Sequence, residues 1–574
     1  MTRQMKWWRC GALALMLALL GGLALAQGQN IPLAKGQLVA FLGDSITQQN
    51  LYTRYVELLL NARYPDLNLR FVNVGWSGRH AAHVIDDAVL QRDLYRLKPD
   101  IVLVLFGMND GWYRAPSSPA AMGAYMLNME TLVGKLQAAL PATQVVLLTP
   151  TPCDPVATNY LKGYNETLGQ MAQYVSELAA RRNLSLIDLL KPMLQADAGA
   201  RATDGGFNMF IDGVHPNPIG HWIIATLISR AFGAGPGLVV RAGVDAKTLT
   251  VTLQQQTTIS EVRMQDDTLL FTQTLPSVPV SLPLEARAAL YVPMVQAARD
   301  KALLAVGNLP ADKLYGVYQR DRFLGRYSAN ELAAGIEWSN PRREDPLTEA
   351  VLAFAMTKYQ YRWADWRAPG TGLAEIEPAV AKSEGWKAFD AALTRLTQDA
   401  DAEEHRTLLA ARVLPWRIVP ETPLNLEKWE VNGPYNYRTF AASYPPESDA
   451  AEGNWTAQAA PKGFLDFFPT YGQYRNSVLF ARARIYVPRT AQLSVSAGSD
   501  GSVKVWVNTT LVLARDTFRT AQPEQDSGVA TLQPGWNTIL ARENRGIQGW
   551  GLYLNAYLSG LTPEELKSVR TGPE

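Results

Sequence analysis

Cysteine is nearly absent from this 574-residue chain, which has 2, and histidine is scarce, with 5. Cys10 lies in an N-terminal stretch that reads as a removable leader, which leaves Cys153 alone. No intrachain disulfide and no cysteine-based zinc site is then available, and the expected role of Cys153 is packing. Net charge is also missing: 54 Lys+Arg stand against 53 Asp+Glu, for a formal charge of +1. A protein that lives on nucleic-acid phosphates needs a basic face, so no nucleic-acid partner is expected. Long apolar runs are confined to the first residues. There Arg3, Lys6 and Arg9 precede a glycine-interrupted run from Gly11 to Leu25, which closes on Ala24-Leu25-Ala26. That order is a signal peptide over 1–26 followed by a small-x-small cleavage site; an uncleaved anchor is the alternative. The expectation is a secreted or periplasmic protein with no stable membrane span after cleavage.

What is present is enough for several cores. Hydrophobic residues make up 47% and charged residues 19% of the chain, and the length suits three or four compact units. From Gln37 to about Gly233, short apolar runs alternate with helical periodicity. Leu38 to Leu42, Leu69 to Val74, Ile101 to Phe106, Val145 to Thr149 and Leu184 to Ile187 read as strands buried on both faces. Tyr55, Leu58, Leu59 and Ala62 recur at helical spacing, and the last helix opens on Asn217-Pro218, a cap followed by proline. Such alternation predicts an α/β unit with a parallel sheet covered on both sides, spanning 35–235. A mixed α+β accessory region is expected over 242–420, with a hairpin from Leu314 to Tyr327 and helices over 348–366 and 384–396. From Trp429 the pattern changes to strand-like runs separated by Asp500-Gly501 and Pro534-Gly535, which predicts a jelly-roll-like β-sandwich over 424–560. Its aromatics Trp455, Trp506, Trp536, Trp550 and Tyr553 either stack on sugar rings or, as the alternation favours for most, fill the core.

Four strand-end loops carry chemistry. Phe41-Leu42-Gly43-Asp44-Ser45-Ile46-Thr47 runs from the first strand into a helix start, where Ser45 sits at the functional edge of an open sheet and near partial positive charge. Asn73-Val74-Gly75-Trp76-Ser77-Gly78 follows the second strand and offers a backbone N–H at Gly75. Gly107-Met108-Asn109-Asp110 follows the third and offers the Asn109 amide. Asp212-Gly213-Val214-His215-Pro216 precedes the last helix, with a spacing that lets a carboxylate turn back onto the imidazole. Taken singly, Ser45 and Asp212 are also fair helix caps, Gly75 and Asn109 fair turn residues, and His215 a fair surface residue. Four together, in strand-end loops of one sheet, point to nucleophilic catalysis. His80 and His83 beside Asp86 and Asp87 invite a metal reading, for which a solvated helix face is the simpler account. Trp76 and Arg79 are candidates to line a cleft.

These blocks resemble the SGNH hydrolases of the GDSL lipase/esterase superfamily over about Lys35 to Gly233. The resemblance implies a flavodoxin-like three-layer α/β/α fold and ester hydrolysis with no metal or other cofactor. It assigns Ser45, Asp212 and His215 as catalytic residues and Ser45, Gly75 and Asn109 as the oxyanion hole. Gly75 lies in a Gly-Trp-Ser-Gly setting similar to that of carbohydrate-esterase-like branches, which implies an acylated glycan or small ester as substrate. More loosely, Trp429 to Tyr435 and Ser499 to Trp506 resemble galactose-binding-like modules and imply carbohydrate binding by the sandwich. The expected activity is a secreted serine esterase that removes acyl, chiefly acetyl, groups from carbohydrate. The alternatives are a general lipase or acyltransferase, and a non-catalytic glycan-binding surface protein.

Overall fold

The structure is a computed structural model, and it describes residues 30–235, 237–339, 345–366, 384–450, 453–545 and 549–572. The leader expected over 1–26 lies outside the described residues. Five short strands, β1 (Leu38–Gly43), β2 (Arg70–Asn73), β3 (Ile101–Leu105), β4 (Gln144–Leu148) and β5 (Ser185–Ile187), form one sheet in the order β2-β1-β3-β4-β5. Every pairing in it is parallel, with Phe41 opposite Asn73 on one side and Leu103 on the other. This is the flavodoxin-like order, whose reversal at β1 opens a crevice beyond the carboxyl ends of β1 and β3. Val39 to Leu42 and Ile101 to Leu105 are buried along their whole length, as apolar strands covered on both faces must be.

Six helices matter for the site. α1 (Ser45–Gln48) is a single turn directly after β1, and α2 (Tyr52–Arg63) follows it. α3 (Pro119–Ala139) and α4 (Tyr164–Arg182) pack together, and α5 (Pro218–Ala231) packs on α2. Right-handed crossovers put α2 and α3 on opposite faces, because β1 to β2 runs one way across the sheet and β3 to β4 the other. α5 begins as its sequence dictates. The Asn217 side chain accepts from Ile219 N–H at 2.9 Å and Gly220 N–H at 3.3 Å, and Pro218 fills the first helical position. The sixth, α6 (Pro346–Trp366), forms a helical hairpin with the longer α7 (Glu384–Ala411), which extends well past the 384–396 expected from periodicity.

Residues of the middle of the chain join two different cores. Val351 and Leu352 of α6 and Leu408 of α7 share the core of the parallel sheet, as do Val278 and Val280 and, from the short helix Leu284–Tyr291, Ala289. A separate core forms around Trp416, Phe271 and Tyr315. The expected hairpin is there as Leu314–Gln319 against Arg322–Ser328. One long strand, Val413–Leu424, then pairs with Thr268–Thr274 and Leu314–Gln319, and its last residues pair with Leu558 to Ala556 of the C-terminal sheets. Arg326 adds a side-chain tie across this seam, to Glu421 at 2.7 Å and over the Tyr557 ring at 3.5 Å.

The C-terminal part is a pair of antiparallel sheets built on Ser477–Val487 with Gly535–Asn544, and on Ala491–Ser499 with Gly551–Ser559. Trp550 (1% exposed) and Trp506 (7%) are buried in it. Trp455 lies under Arg482 at 4.2 Å, Trp536 against Tyr486 and Arg570, and Tyr553 against Phe464 at 4.5 Å. The rings that project into water are others: Phe468, Tyr474 and Phe518.

Candidate active site

The chain leaves β1 at Gly43 and turns at once into α1. Asp44 caps it, its Oδ1 accepting from Ile46 N–H at 2.9 Å, and Ser45 is the first helical residue. Ser45 therefore sits where unsatisfied backbone N–H groups and the helix dipole favour negative charge. Between β5 and α5 the loop Asp212–His215 closes on itself. Asp212 Oδ1 accepts from Val214 N–H at 2.9 Å and His215 N–H at 2.8 Å, which leaves Oδ2 to face the ring. His215 Nδ1–H donates to that oxygen at 2.7 Å, a contact that assigns the tautomer, and Nε2 accepts from Ser45 Oγ–H at 2.9 Å. Burial pushes the Asp212 carboxyl up, but the N–H donors of His215 and Val214 and the imidazole outweigh it and hold it below the ordinary carboxylate range. The rim is wet: the His215 and Asp212 side chains are 28% and 52% exposed.

Gly75 and Asn109 come from the neighbouring strand ends. A Cβ on Gly75 would lie 2.5 Å from Thr47 Cβ and 2.7 Å from Gln48 N, so only glycine lets this loop press against α1. The Gly75 N–H donates to Asn73 Oδ1 at 2.9 Å, while Asn73 Nδ2 donates to the Thr47 carbonyl at 2.6 Å. The Asn109 amide is held at both ends, Nδ2 donating to the Arg79 carbonyl at 3.0 Å and Oδ1 accepting from Tyr113 O–H at 2.6 Å. Trp112 and Tyr113 both adopt left-handed backbone, with φ of 51° and 56°. Such strain costs on the order of 1–3 kcal/mol per residue and gathers at functional sites. Here it turns the Tyr113 hydroxyl onto Asn109 and leaves the Trp112 ring 64% exposed, with His80 4.7 Å away.

Beneath the rim the polar groups are sealed. Burial raises the Asp44 carboxyl to about 7 and the Asp110 carboxyl to about 6; Asp110 accepts from Ala81 and Gly107 N–H groups. His221, which is fully buried, is pushed down to about 3 by burial and bridges Tyr52 N–H to Gln49 Oε1. Arg79 does not face a cleft: it pairs with Asp93 at 2.8 Å and covers the Trp76 ring at 4.7 Å. Cys153 is buried and its thiol pushed up to about 12, so it is no nucleophile at neutral pH. Among the described residues, one acidic group is tight enough for a cation. Its members are Glu57, Asp401 and Glu404, with oxygens within 4.8 Å of one another, and the Lys358 ammonium sits among them.

Residues 41–223 match the GDSL-like lipase/acylhydrolase family. Over those residues the chain is similar to GDSL-type ester hydrolases. An acetylxylan esterase from Geobacillus stearothermophilus is 26% identical over 236 residues, which is 35% of this chain and 96% of that protein. A solved gut microbial diltiazem-metabolizing enzyme superposes with a TM-score of 0.54 at 20% identity, covering 68% of this chain and 99% of its own, a likeness of fold. The sequence pattern locates the strand-end loops but not the contacts of Asn73, Tyr113 and His221. Asn73 opens the loop that carries Gly75, and its side-chain amide is the signal. His221 carries no local signal, because its partners Tyr52 and Gln49 are remote in sequence; Tyr113 lies four residues from Asn109, but no motif marks the contact.

Proposed function

We propose that Ser45 is the nucleophile, His215 the general base and Asp212 the residue that orients and stabilises the imidazolium. The observation that carries this reading is the continuous hydrogen-bond chain from Ser45 Oγ through His215 to Asp212, at 2.9 and 2.7 Å. Ser45 Oγ attacks the ester carbonyl as Nε2 takes its proton; the same proton then goes to the leaving alkoxide, and a water activated by Nε2 releases the acid. The oxyanion takes the Ser45 N–H, the second N–H of Asn109 Nδ2, and the Gly75 N–H. That last donor already serves Asn73, so it joins as a three-centre bond that shortens as charge develops. No metal or other cofactor enters this scheme.

The substrate we propose is an acylated, chiefly acetylated, carbohydrate. The acetylxylan esterase relative supports the sugar, and the exposed Trp112 face beside the Asn109 turn supplies a ring on which a pyranose stacks. Action outside the cytoplasm follows if the leader is removed; among the described residues no helix is long and apolar enough to cross a membrane. Sugar binding by the C-terminal sandwich belongs to the exposed Phe468, Tyr474 and Phe518 rather than to the buried tryptophans. The test is Ser45→Ala in the full chain, assayed on p-nitrophenyl acetate and on acetylated xylan. Loss of both activities, with folding intact by circular dichroism, is the expected result; undiminished turnover on either ends the assignment.

A further inference from the structure

We infer that the α6–α7 hairpin is a positioning element for the nucleophile turn, acting through the Tyr359 hydroxyl. The inference rests on Ser45 being the nucleophile. A one-turn helix cannot satisfy its own carboxyl-terminal carbonyls, and α1 is such a helix. The Gln48 carbonyl accepts from Tyr359 O–H at 2.8 Å, across 311 residues of chain. The Gln48 side chain in turn accepts from the Ser77 N–H, so one residue ties α1 both to the hairpin and to the loop bearing Gly75. Asn73 makes the parallel tie, from the Thr47 carbonyl to the Gly75 N–H. The end of α1 opposite Ser45 is thus fixed by a hydroxyl from outside the parallel-sheet unit.

The residue just before it explains why Tyr359 arrives there. Lys358 Nζ donates to Glu57 of α2 and to Asp401 (2.8 Å) and Glu404 (2.6 Å) of α7, and Asn61 of α2 donates to Glu404 at 2.8 Å. These side chains are deeply buried, with Lys358 5% and Glu404 2% exposed. A buried ion cluster is a poor source of stability because desolvation offsets its attraction, but it strongly penalises any other register. An apolar seam between α2 and the hairpin tolerates a slide; this cluster does not. α2 follows α1 directly, so locking the hairpin to α2 delivers Tyr359 to the Gln48 carbonyl.

The experiment is Tyr359→Phe in the full chain, which keeps the ring and removes only the donor, assayed on p-nitrophenyl acetate beside Ser45→Ala. The expected result is a fall in kcat of about 10-fold with KM and Tm unchanged. The inhibition constant of a phenylboronic acid, which forms a tetrahedral adduct on a nucleophilic serine, rises by the same factor. A group that merely stabilised the fold would lower Tm and leave the boronate affinity of the folded enzyme alone. Glu404→Gln, which loosens the Lys358 cluster without emptying it, is expected to reproduce the kcat loss in part. Wild-type kcat and boronate affinity in Tyr359→Phe, with Ser45→Ala inactive, overturn this inference and leave the nucleophile standing. Full activity in Ser45→Ala overturns both.

Discussion

Ser45, His215 and Asp212 stand at a strand-end rim open to water, whereas Lys358, Glu57, Asp401 and Glu404 are sealed between helices. Both groups join polar side chains at hydrogen-bond distance, yet the physics assigns them different work. At the rim, solvent screens the Asp212–His215 pair, so it adds little to folding and stays free to pass a proton. In the seam, low dielectric makes each contact strong and each missing partner costly. An exposed hydrogen-bonded array thus suits the proposed chemistry, and a buried ionic one suits the proposed register.

That contrast can be attacked at both ends. The largest expected effect is on the rim: Asp212→Asn is expected to lower kcat about 10⁴-fold, because the amide favours the wrong imidazole tautomer, with the urea midpoint almost unmoved. A large stability loss there breaks the comparison. In the seam, Lys358→Met is expected to cost about 3–5 kcal/mol in urea unfolding, as it leaves three buried carboxyls uncompensated; a silent substitution breaks the comparison from the other side. Asn109→Ala is expected to raise the barrier by about 2.7–4 kcal/mol, read as kcat on p-nitrophenyl acetate, since a held amide is lost from the proposed oxyanion site. The smallest effect sharpens the argument. The Asp212 carboxyl is held below its ordinary value in the folded state, so its contribution is present above the unfolded value and vanishes as pH falls through the folded one. Asp212→Asn is therefore expected to lower stability by at most ~0.2–1 kcal/mol at pH 7, and by nothing once the pH is low enough to protonate the carboxyl, in paired urea titrations.

Two regions also differ in how far they were legible. The parallel sheet could be read because its strands are short apolar runs, and the structure moves their ends by only a residue or so, as with Ile101–Leu105 against an expected end at Phe106. The Asp212–His215 turn was legible for a stronger reason: its hydrogen bonds span three residues, so the local sequence suffices to build it. The hairpin was half legible. Its helices were expected, but α7 runs to Ala411 through a polar, charge-rich stretch whose apolar stripe is too sparse to extend by eye. The aromatics of the sandwich were ambiguous because strand alternation says that a ring points inward without saying what covers it; Trp550 and Trp506 prove buried, and Trp536 and Tyr553 rest on neighbouring rings.

The amino-acid sequence by itself determined the strand–helix alternation, the glycine at the crowded Gly75 turn and the carboxylate three residues before His215, because each depends on neighbours within a few positions. Only the tertiary structure decided that Nε2 of His215 meets Ser45, that the Tyr113 hydroxyl holds the Asn109 amide, and that Lys358 lands among three carboxyls with Tyr359 on the Gln48 carbonyl. The physical reason is range: periodicity and turn chemistry act over one or two helical turns, while these partners, other than Tyr113 and Asn109, are brought together by burial of apolar surface that is indifferent to which polar groups it carries along.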